Sequence, residues 1–285
     1  MLWVSTDGDI GVNRLRITVL GSTGFIGSHL AHYLRRQGYD CNLPKGGDVS
    51  TYTSPLGHVI YALGLTADFR SRPLDTVEAH VCLLQRLIRA GNFESLTYLS
   101  STRVYSGTAD TAETARLQIN PNDPGDLYNL SKLMGESLCL HGGRQGMKVA
   151  RLSSIVGLRP DPDTFIDQLL EEGCRTGKIV FQTALESRKD YLHVDDAVEL
   201  LTRIALSPET SIYNVASGEG TENREIAKAL TTEMGFEVSV APNAPTWDFT
   251  AVDVSRVKAR FGFSARRFSD YFPAFLQSYR QKKGF

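Results

Sequence analysis

Leu15-Arg16-Ile17-Thr18-Val19-Leu20-Gly21-Ser22-Thr23-Gly24-Phe25-Ile26-Gly27 decides the fold of this chain. The first six residues form a short apolar-rich run that reads as a strand. A turn with glycines at 21, 24 and 27 follows, then a helical pattern from about Phe25 to Gln37. Ile26, Leu30, Tyr33 and Leu34 recur there at helical spacing, and Gly38 stops it. Glycines between a strand and a helix are the context that a dinucleotide-binding turn requires. The first permits the tight turn, a later one lets the backbone approach a pyrophosphate, and the last lets helix and strand pack closely. Backbone N–H groups at the helix start then hold the phosphates, and the helix dipole adds favourable charge.

Outward from this turn, strands are expected at Asp40–Leu43, Val59–Leu63, Leu96–Leu99 and Lys148–Leu152. Helices are expected at Thr76–Ala90 and Tyr128–Leu140. Strand alternating with helix predicts parallel βαβ units and an α/β fold with a doubly wound parallel sheet. Between Gly38 and Val59 the chain carries Pro44, Gly46, Gly47 and Pro55, so the crossover helix there is expected to be vestigial or absent. Beyond Leu152 the alternation loosens. Helices are expected at Phe165–Thr176, Val194–Ala205, Asn223–Met234 and Phe268–Gln281, with a strand at Ile212–Val215. The reading divides the chain into an N-terminal extension (1–14), a cofactor-binding domain (15–155) and a smaller substrate-binding lobe (156–285) interleaved with the first sheet.

Composition narrows the function classes. With 41% hydrophobic and 22% charged residues in 285, the chain has ample material for a core, which excludes intrinsic disorder. The net charge of −1 and the lack of a Lys/Arg block argue against a sequence-independent grip on nucleic acid. Cys41, Cys82, Cys139 and Cys174 form no CxxC pair and read as reduced thiols. No apolar run reaches the ~18 residues needed to span a bilayer. Met1 to Arg14 mixes Asp7, Asp9 and glycines, unlike a signal peptide. The expectation is a soluble cytoplasmic protein with neither membrane nor nucleic-acid partner. The histidines show no metal-ligand spacing, so no metal is expected.

Dinucleotide turns of this kind use an Asp or Glu about 20 residues on, to bind the 2′-hydroxyl of an NAD ribose. Lys45 falls near that position, with Asp48 close enough to take the role or to receive the adenine amino group. A lysine there favours the 2′-phosphate of NADP, and both cofactors stay open.

Tyr128-Asn129-Leu130-Ser131-Lys132 puts Tyr and Lys at i and i+4 on one helical face. A free Tyr titrates near about 10. A nearby ammonium and an oxidised nicotinamide both favour phenolate, so the pair can serve as a general base. Leu99-Ser100-Ser101-Thr102-Arg103-Val104-Tyr105 ends the fourth strand, where the active sites of open α/β sheets lie. A serine there can hydrogen-bond the substrate oxygen whose proton the Tyr removes.

In this order, GSTGFIG, SSTRVY and YNLSK resemble the extended short-chain dehydrogenase/reductase superfamily, in its NAD-dependent epimerase/dehydratase branch. Arg151-Leu152 leading to Gly157, Asp190-Tyr191-Leu192-His193-Val194-Asp195-Asp196, Tyr213-Asn214-Val215-Ala216-Ser217-Gly218 and Asp253-Val254-Ser255-Arg256 extend the resemblance from Leu15 to Gly262. It implies a Rossmann domain that binds NAD or NADP, and a C-terminal lobe that binds a nucleotide sugar. By position it implies Ser101 as the catalytic Ser/Thr, Tyr128 as the base and Lys132 as its partner. Around the cofactor it implies Gly21, Thr23, Gly24, Phe25, Ile26, Gly27, Lys45, Asp48, Val49, Ala62, Leu63, Gly64, His80 and Ser153, together with Tyr128 and Lys132. His80 stands where the family has Asn.

Other departures are informative. Thr102 and Arg103 replace the Asp-Glu pair of the 4,6-dehydratases, so dehydration is not expected. Ser154 stands for a substrate-holding Asn, and Lys189, beside Arg188, for a diphosphate Arg. A second such Arg is missing from Pro242–Asp248. These losses imply an altered nucleotide-sugar mode or a different polar substrate. Thr102, Ser154, Arg159, Arg188, Lys189 and Trp247 are the candidate substrate contacts. His193 is read as structural, with Asp195 and Asp196 suiting a helix start. The expected enzyme is an NAD(P)-dependent sugar epimerase, with a ketoreductase as the alternative and a non-catalytic cofactor-binding regulator less favoured because Tyr and Lys are both kept. A homodimer is expected from the resemblance, with Leu84, Leu87, Leu130, Leu133 and Leu138 as its candidate seam.

Overall fold

The computed structural model describes residues 15–44, 52, 54–66, 68–159, 164–247 and 249–284. β1 (Arg16–Leu20), α1 (Phe25–Arg36), β2 (Asp40–Asn42) and β3 (His58–Tyr61) open the chain. α2 (Pro73–Val77), a π turn (Glu78–Cys82) and α3 (Leu83–Ala90) run on without a break to β4 (Ser95–Ser101). Then come α4 (Asp126–His141), β5 (Met147–Leu152), β6 (Ser154–Val156), α5 (Phe165–Thr176), β7 (Lys178–Phe181) and β8 (Arg188–His193). α6 (Val194–Leu206), β9 (Ser211–Val215), β10 (Gly220–Glu222), α7 (Asn223–Ala229), β11 (Glu237–Val240), α8 (Ser255–Phe261) and α9 (Phe268–Lys283) complete the order.

The central sheet is parallel, in the order β2-β1-β3-β4-β5-β9. Strands buried on both faces read as continuous apolar runs. Val59 and Tyr61 enter the core with Leu84, Leu87 and Tyr98, while Ile60 between them joins Leu30, Leu34 and Leu201 on the opposite face. The order reverses beside β1, so a ligand crevice opens between β1 and β3 at the carboxyl ends of the strands. The glycine turn, Ala62–Gly64, Ser101 and Ser153 all follow or end strands at that edge.

A second core lies in the C-terminal part, where Phe268, Phe272, Phe275 and Leu276 of α9 pack with Leu170, Ile179 and Phe181. A small sheet, β10-β8-β6, stands between the two cores.

Several expectations need correction. The helix expected from Thr76 begins at Pro73, where proline's fixed φ suits the first turn, and it contains the π turn. The helix expected to run to Met234 is α7 plus a second π turn, Leu230–Met234. β6, β7, β8, β10 and β11 had no sequence signal, because runs of three to six residues such as Arg188–His193 are fixed by distant partners rather than by alternation. Leu84 and Leu87 are wholly buried in the core, which removes them from any dimer seam; Leu130 and Met134 are exposed on α4. Residues 45–51 and 53, where the crossover helix was in question, lie outside the described residues, as does the extension 1–14.

Candidate active site

The glycine turn closes through a backbone bond from Gly24 N to Gly21 O. Gly21 has φ of +87°, and a Cβ on it would come within 2.6 Å of the Ala62 carbonyl. A Cβ on Gly27 would strike Gly21 O at 2.1 Å, so the close helix–strand approach needs both glycines. Gly24 caps α1 with no side-chain hydrogen bond, and no acidic residue stands in the first turn. Orphan N–H groups at a helix start without a local acceptor suit an anion, so the turn fits the pyrophosphate of a dinucleotide. Thr23, Phe25 and Ile26 line the same turn, Thr23 exposed and the other two half-buried.

Ser101 ends β4 and accepts a hydrogen bond from Arg103 N at 3.2 Å. Its hydroxyl also meets Tyr128, favouring the phenolate. Tyr128 and Lys132 face the sheet from α4, both almost fully buried. Burial raises the Tyr128 pKa, while Ser101 and the Arg103 charge oppose that rise. Burial also lowers Lys132, to about 7, against the attraction of Glu136 one turn on. The Lys132 ammonium donates to Leu99 O at 2.9 Å and lies 5.7 Å from the centre of the Tyr128 ring.

Glu136 belongs to a buried network behind the pair. Arg151 donates to both of its oxygens, at 3.0 and 2.6 Å, and Ser100 Oγ donates at 2.5 Å. Arg151 also reaches Tyr105, whose hydroxyl donates to Asn214 Oδ1 at 2.8 Å. Asn214 in turn donates to the carbonyls of Thr111 and Asp253, tying the centre to the C-terminal segment.

His80, carried on the π turn, is fully buried. Its Nδ1 pairs with Ser131 Oγ at 2.8 Å, and its Nε2 is buried. Burial and the Lys132 charge push its pKa down to about 2, so the ring is neutral; the Leu65 backbone opposes this only weakly. A Cβ on Gly64 would sit 2.8 Å from His80 Nε2 and 3.4 Å from Lys132 Nζ. His80 therefore stands behind the Ala62–Gly64 edge of the crevice.

The expected substrate contacts separate into two groups. Lys189 is turned into the cleft: its ammonium lies 5.1 Å from the Phe165 ring, 6.0 Å from Trp247 and 5.9 Å from Phe249. Burial and then Arg103 lower its pKa. Thr102 is half-buried beside Ser101 and donates to Leu152 O at 3.3 Å. Ser153 is half-buried, its hydroxyl directed at the Asp190 carboxylate, and Ser154 is exposed. Two residues are drawn elsewhere. Successive residues of a strand face opposite sides, so Arg188 points away from Lys189 and pairs with Glu222. Arg159 sits over the Phe25 ring at 3.9 Å with Asp167 at 3.2 Å, which commits its guanidinium. Lys45, Asp48 and Val49 lie outside the described residues. As read from sequence, His193 is structural: its Nδ1 accepts from Asp195 N and caps α6.

Sequence reasoning passed over Phe69, whose ring centre lies 5.2 Å from that of Tyr128, and Arg70 beside it. Nothing in the loop before Pro73 marks them. It noted Arg103 only as a missing acid, although its place two residues after Ser101 was signal enough.

Residues 17–216 match the model of the NAD dependent epimerase/dehydratase family. The chain is 27% identical over 254 residues to a GDP-6-deoxy-D-mannose reductase of Pseudomonas aeruginosa, covering 79% of this chain and 82% of that one. A solved structure of RMD from Pseudomonas aeruginosa with NADPH superposes with a TM-score of 0.75 at 23% identity, covering 94% of this chain and 99% of that one. A variant of UDP-glucuronic acid 4-epimerase from Bacillus cereus, bound to NAD, superposes with a TM-score of 0.80 at 17% identity, covering 93% and 99%. The family is NAD dependent by its description, and the two solved structures carry NADPH and NAD.

Proposed function

The chain belongs to the NAD dependent epimerase/dehydratase family, and from that premise we propose that it is an epimerase of a nucleotide-linked sugar. The observation that carries this reading is the meeting of Ser101 and Tyr128 at the carboxyl edge of the sheet, with Lys132 one turn behind. When bound, the dinucleotide supplies the acceptor and donor of hydride. Ser101 orients the sugar hydroxyl by a hydrogen bond, and Tyr128 removes its proton. Lys132 and Arg103 place positive charge beside the phenolate that takes this proton and becomes the phenol. Lys132 also fixes its own helix against β4 through Leu99 O. Thr102 and Arg103, where a dehydratase has its acids, offer no acid–base pair for eliminating water.

The segment 15–155 holds the cofactor and 156–285 most of the sugar site in this reading. The enzyme works in the cytoplasm as a homodimer, for which the exposed Leu130 and Met134 on α4 provide an apolar face. The similarity to a reductase favours one alternative, a ketoreductase of a keto-sugar. Denaturing the purified protein and identifying the released nucleotide by mass separates them. Stoichiometric NAD(H) is expected for an epimerase that recycles its cofactor. Little bound nucleotide, with thermal stabilisation by NADPH, would establish the reductase, and no binding of either would overturn both.

A further inference from the structure

Four groups crowd the Tyr128 ring, each from a different element. The Lys132 ammonium of α4 and the Arg103 guanidinium of the turn after β4 both lie 5.7 Å from its centre. The His80 ring of the π turn lies 5.5 Å away, and the Phe69 ring of the loop before α2 lies 5.2 Å away. Arg103 is also 5.1 Å from Phe69, so Arg103, Phe69 and Tyr128 close a triangle. Phe69 is 2% exposed and Tyr128 5%, so little water reaches the space they share. Burial alone holds Tyr128 in its protonated form, so its ionisation needs a cation close by. In such a dry place a neighbouring cation favours a phenolate strongly.

The candidate cations are not equivalent. The Lys132 ammonium is turned to Leu99 O at 2.9 Å, and burial lowers its pKa to about 7 against the pull of Glu136, so it loses its charge as the pH rises past that value. His80 is neutral. Arg103 keeps its charge at every pH at which the protein is folded. Burial and Arg70 disfavour that charge; among the groups that favour it Tyr128 stands first, ahead of Asp126 and Asp123. Arg70 and Asp123 flank the guanidinium near Gly125, both exposed and opposite in sign, and Asp126 is engaged by Asn129 and the Asn120 N–H. The Arg103 backbone N–H also donates to Ser101 Oγ at 3.2 Å, which ties the guanidinium to the hydroxyl that meets Tyr128.

We propose that Arg103, seated on the Phe69 ring, is a positioning residue that acts through Tyr128: it, rather than Lys132, supplies most of the positive charge that holds the phenolate. The proposal rests on the reading of Tyr128 as the base and divides the work of its two cations. Lys132 ties α4 to β4 through Leu99 O, while Arg103 charges the tyrosine. The base then stays ionised above about pH 7, where Lys132 is neutral. An acid at position 103, where the 4,6-dehydratases carry one, would act on the phenolate in the opposite sense.

The test titrates Tyr128 itself in the protein loaded with NAD, with no sugar present. The ultraviolet difference between each protein and its Tyr128→Phe counterpart, followed from about pH 6 to about pH 11, reports that one phenolate. Removing a cation raises a phenol's pKa, so Arg103→Met should move the midpoint up by about one unit or more, a tenfold loss of phenolate at any pH below both midpoints. Arg103→Lys should recover at least half of that shift, because it restores the charge. Lys132→Met should move the midpoint less than Arg103→Met does. Should Arg103→Met fail to fold, Arg103→Gln takes its place with the same expectation. An unchanged midpoint in Arg103→Met would overturn the proposal, as would a Lys variant no better than the Met variant. A larger shift in Lys132→Met would overturn it too and return the role to Lys132. If Tyr128 of the parent does not ionise anywhere in the range, the reading of Tyr128 as the base falls, and the proposal with it.

Discussion

The two walls of the cleft are built on different principles. The wall that carries the glycine turn, Ser101, Tyr128 and Lys132 uses regular elements, and its working groups are backbone N–H donors or side chains at fixed intervals. The wall formed by β8 with Phe165, Trp247 and Phe249 uses a short strand and aromatic rings to hold one long cation, Lys189. The first is pre-organised by hydrogen bonds within a parallel sheet. The second is held by contacts between segments far apart in the chain, such as Arg188 N to Trp247 O.

Four experiments probe that contrast. Tyr128→Phe should reduce kcat by about 10²–10⁴-fold while NAD affinity stays close to the parent, as expected where the first wall supplies the proton transfer. A comparable fall in cofactor affinity would break the separation between binding and chemistry. Glu136→Gln should cost about 3–5 kcal/mol in denaturant unfolding, because it strands the buried Arg151 charge. Replacing both partners by Met and Leu should recover much of that loss.

Lys132 gives a pH test. Its folded pKa of about 7 lies below the ordinary value of 10.5, so the folded form binds fewer protons than the unfolded form between those values. Native stability should therefore rise with pH through that window, and the cost of the buried charge should be fullest below about 7. Melting curves of Lys132→Met and the parent should differ in favour of the variant most at about pH 6 and less at about pH 9. A constant difference would show that Lys132 does not titrate there. Arg188→Ala, the smallest expected effect, should leave KM and Tm unchanged, because an exposed pair with Glu222 is all it breaks. A raised KM would return Arg188 to the substrate wall.

Legibility in the sequence followed the same contrast. The glycine turn, the central parallel strands and the Tyr–Lys spacing were readable because each depends on neighbours within one element. Lys189 and Trp247 were singled out by position, yet their companions Phe165 and Phe249 were not, since rings gathered from two distant segments around a strand lysine leave no local pattern. Arg159 and Arg188 were read as substrate contacts, and the structure gives each an acidic partner, Asp167 and Glu222, that a lone Arg in the sequence does not reveal. Glu136 stood one turn beyond Lys132, but its partner Arg151 is supplied by the next strand.

The π turn at Glu78–Cys82 acts as a phase shifter. An α-helix advances 100° per residue, and a π turn amounts to one inserted residue within such a helix. Without it, the half-helix Pro73–Val77 and the half-helix Leu83–Ala90 could not both keep their present faces. Winding the same residues as a regular α-helix, with none removed, would swing one half relative to the other by about a quarter turn. Either His80 would leave Gly64 and Ser131, or Leu84 and Leu87 would leave the sheet. The length of this helix is thus part of the catalytic centre's specification, and an insertion or deletion here would alter it as surely as a substitution.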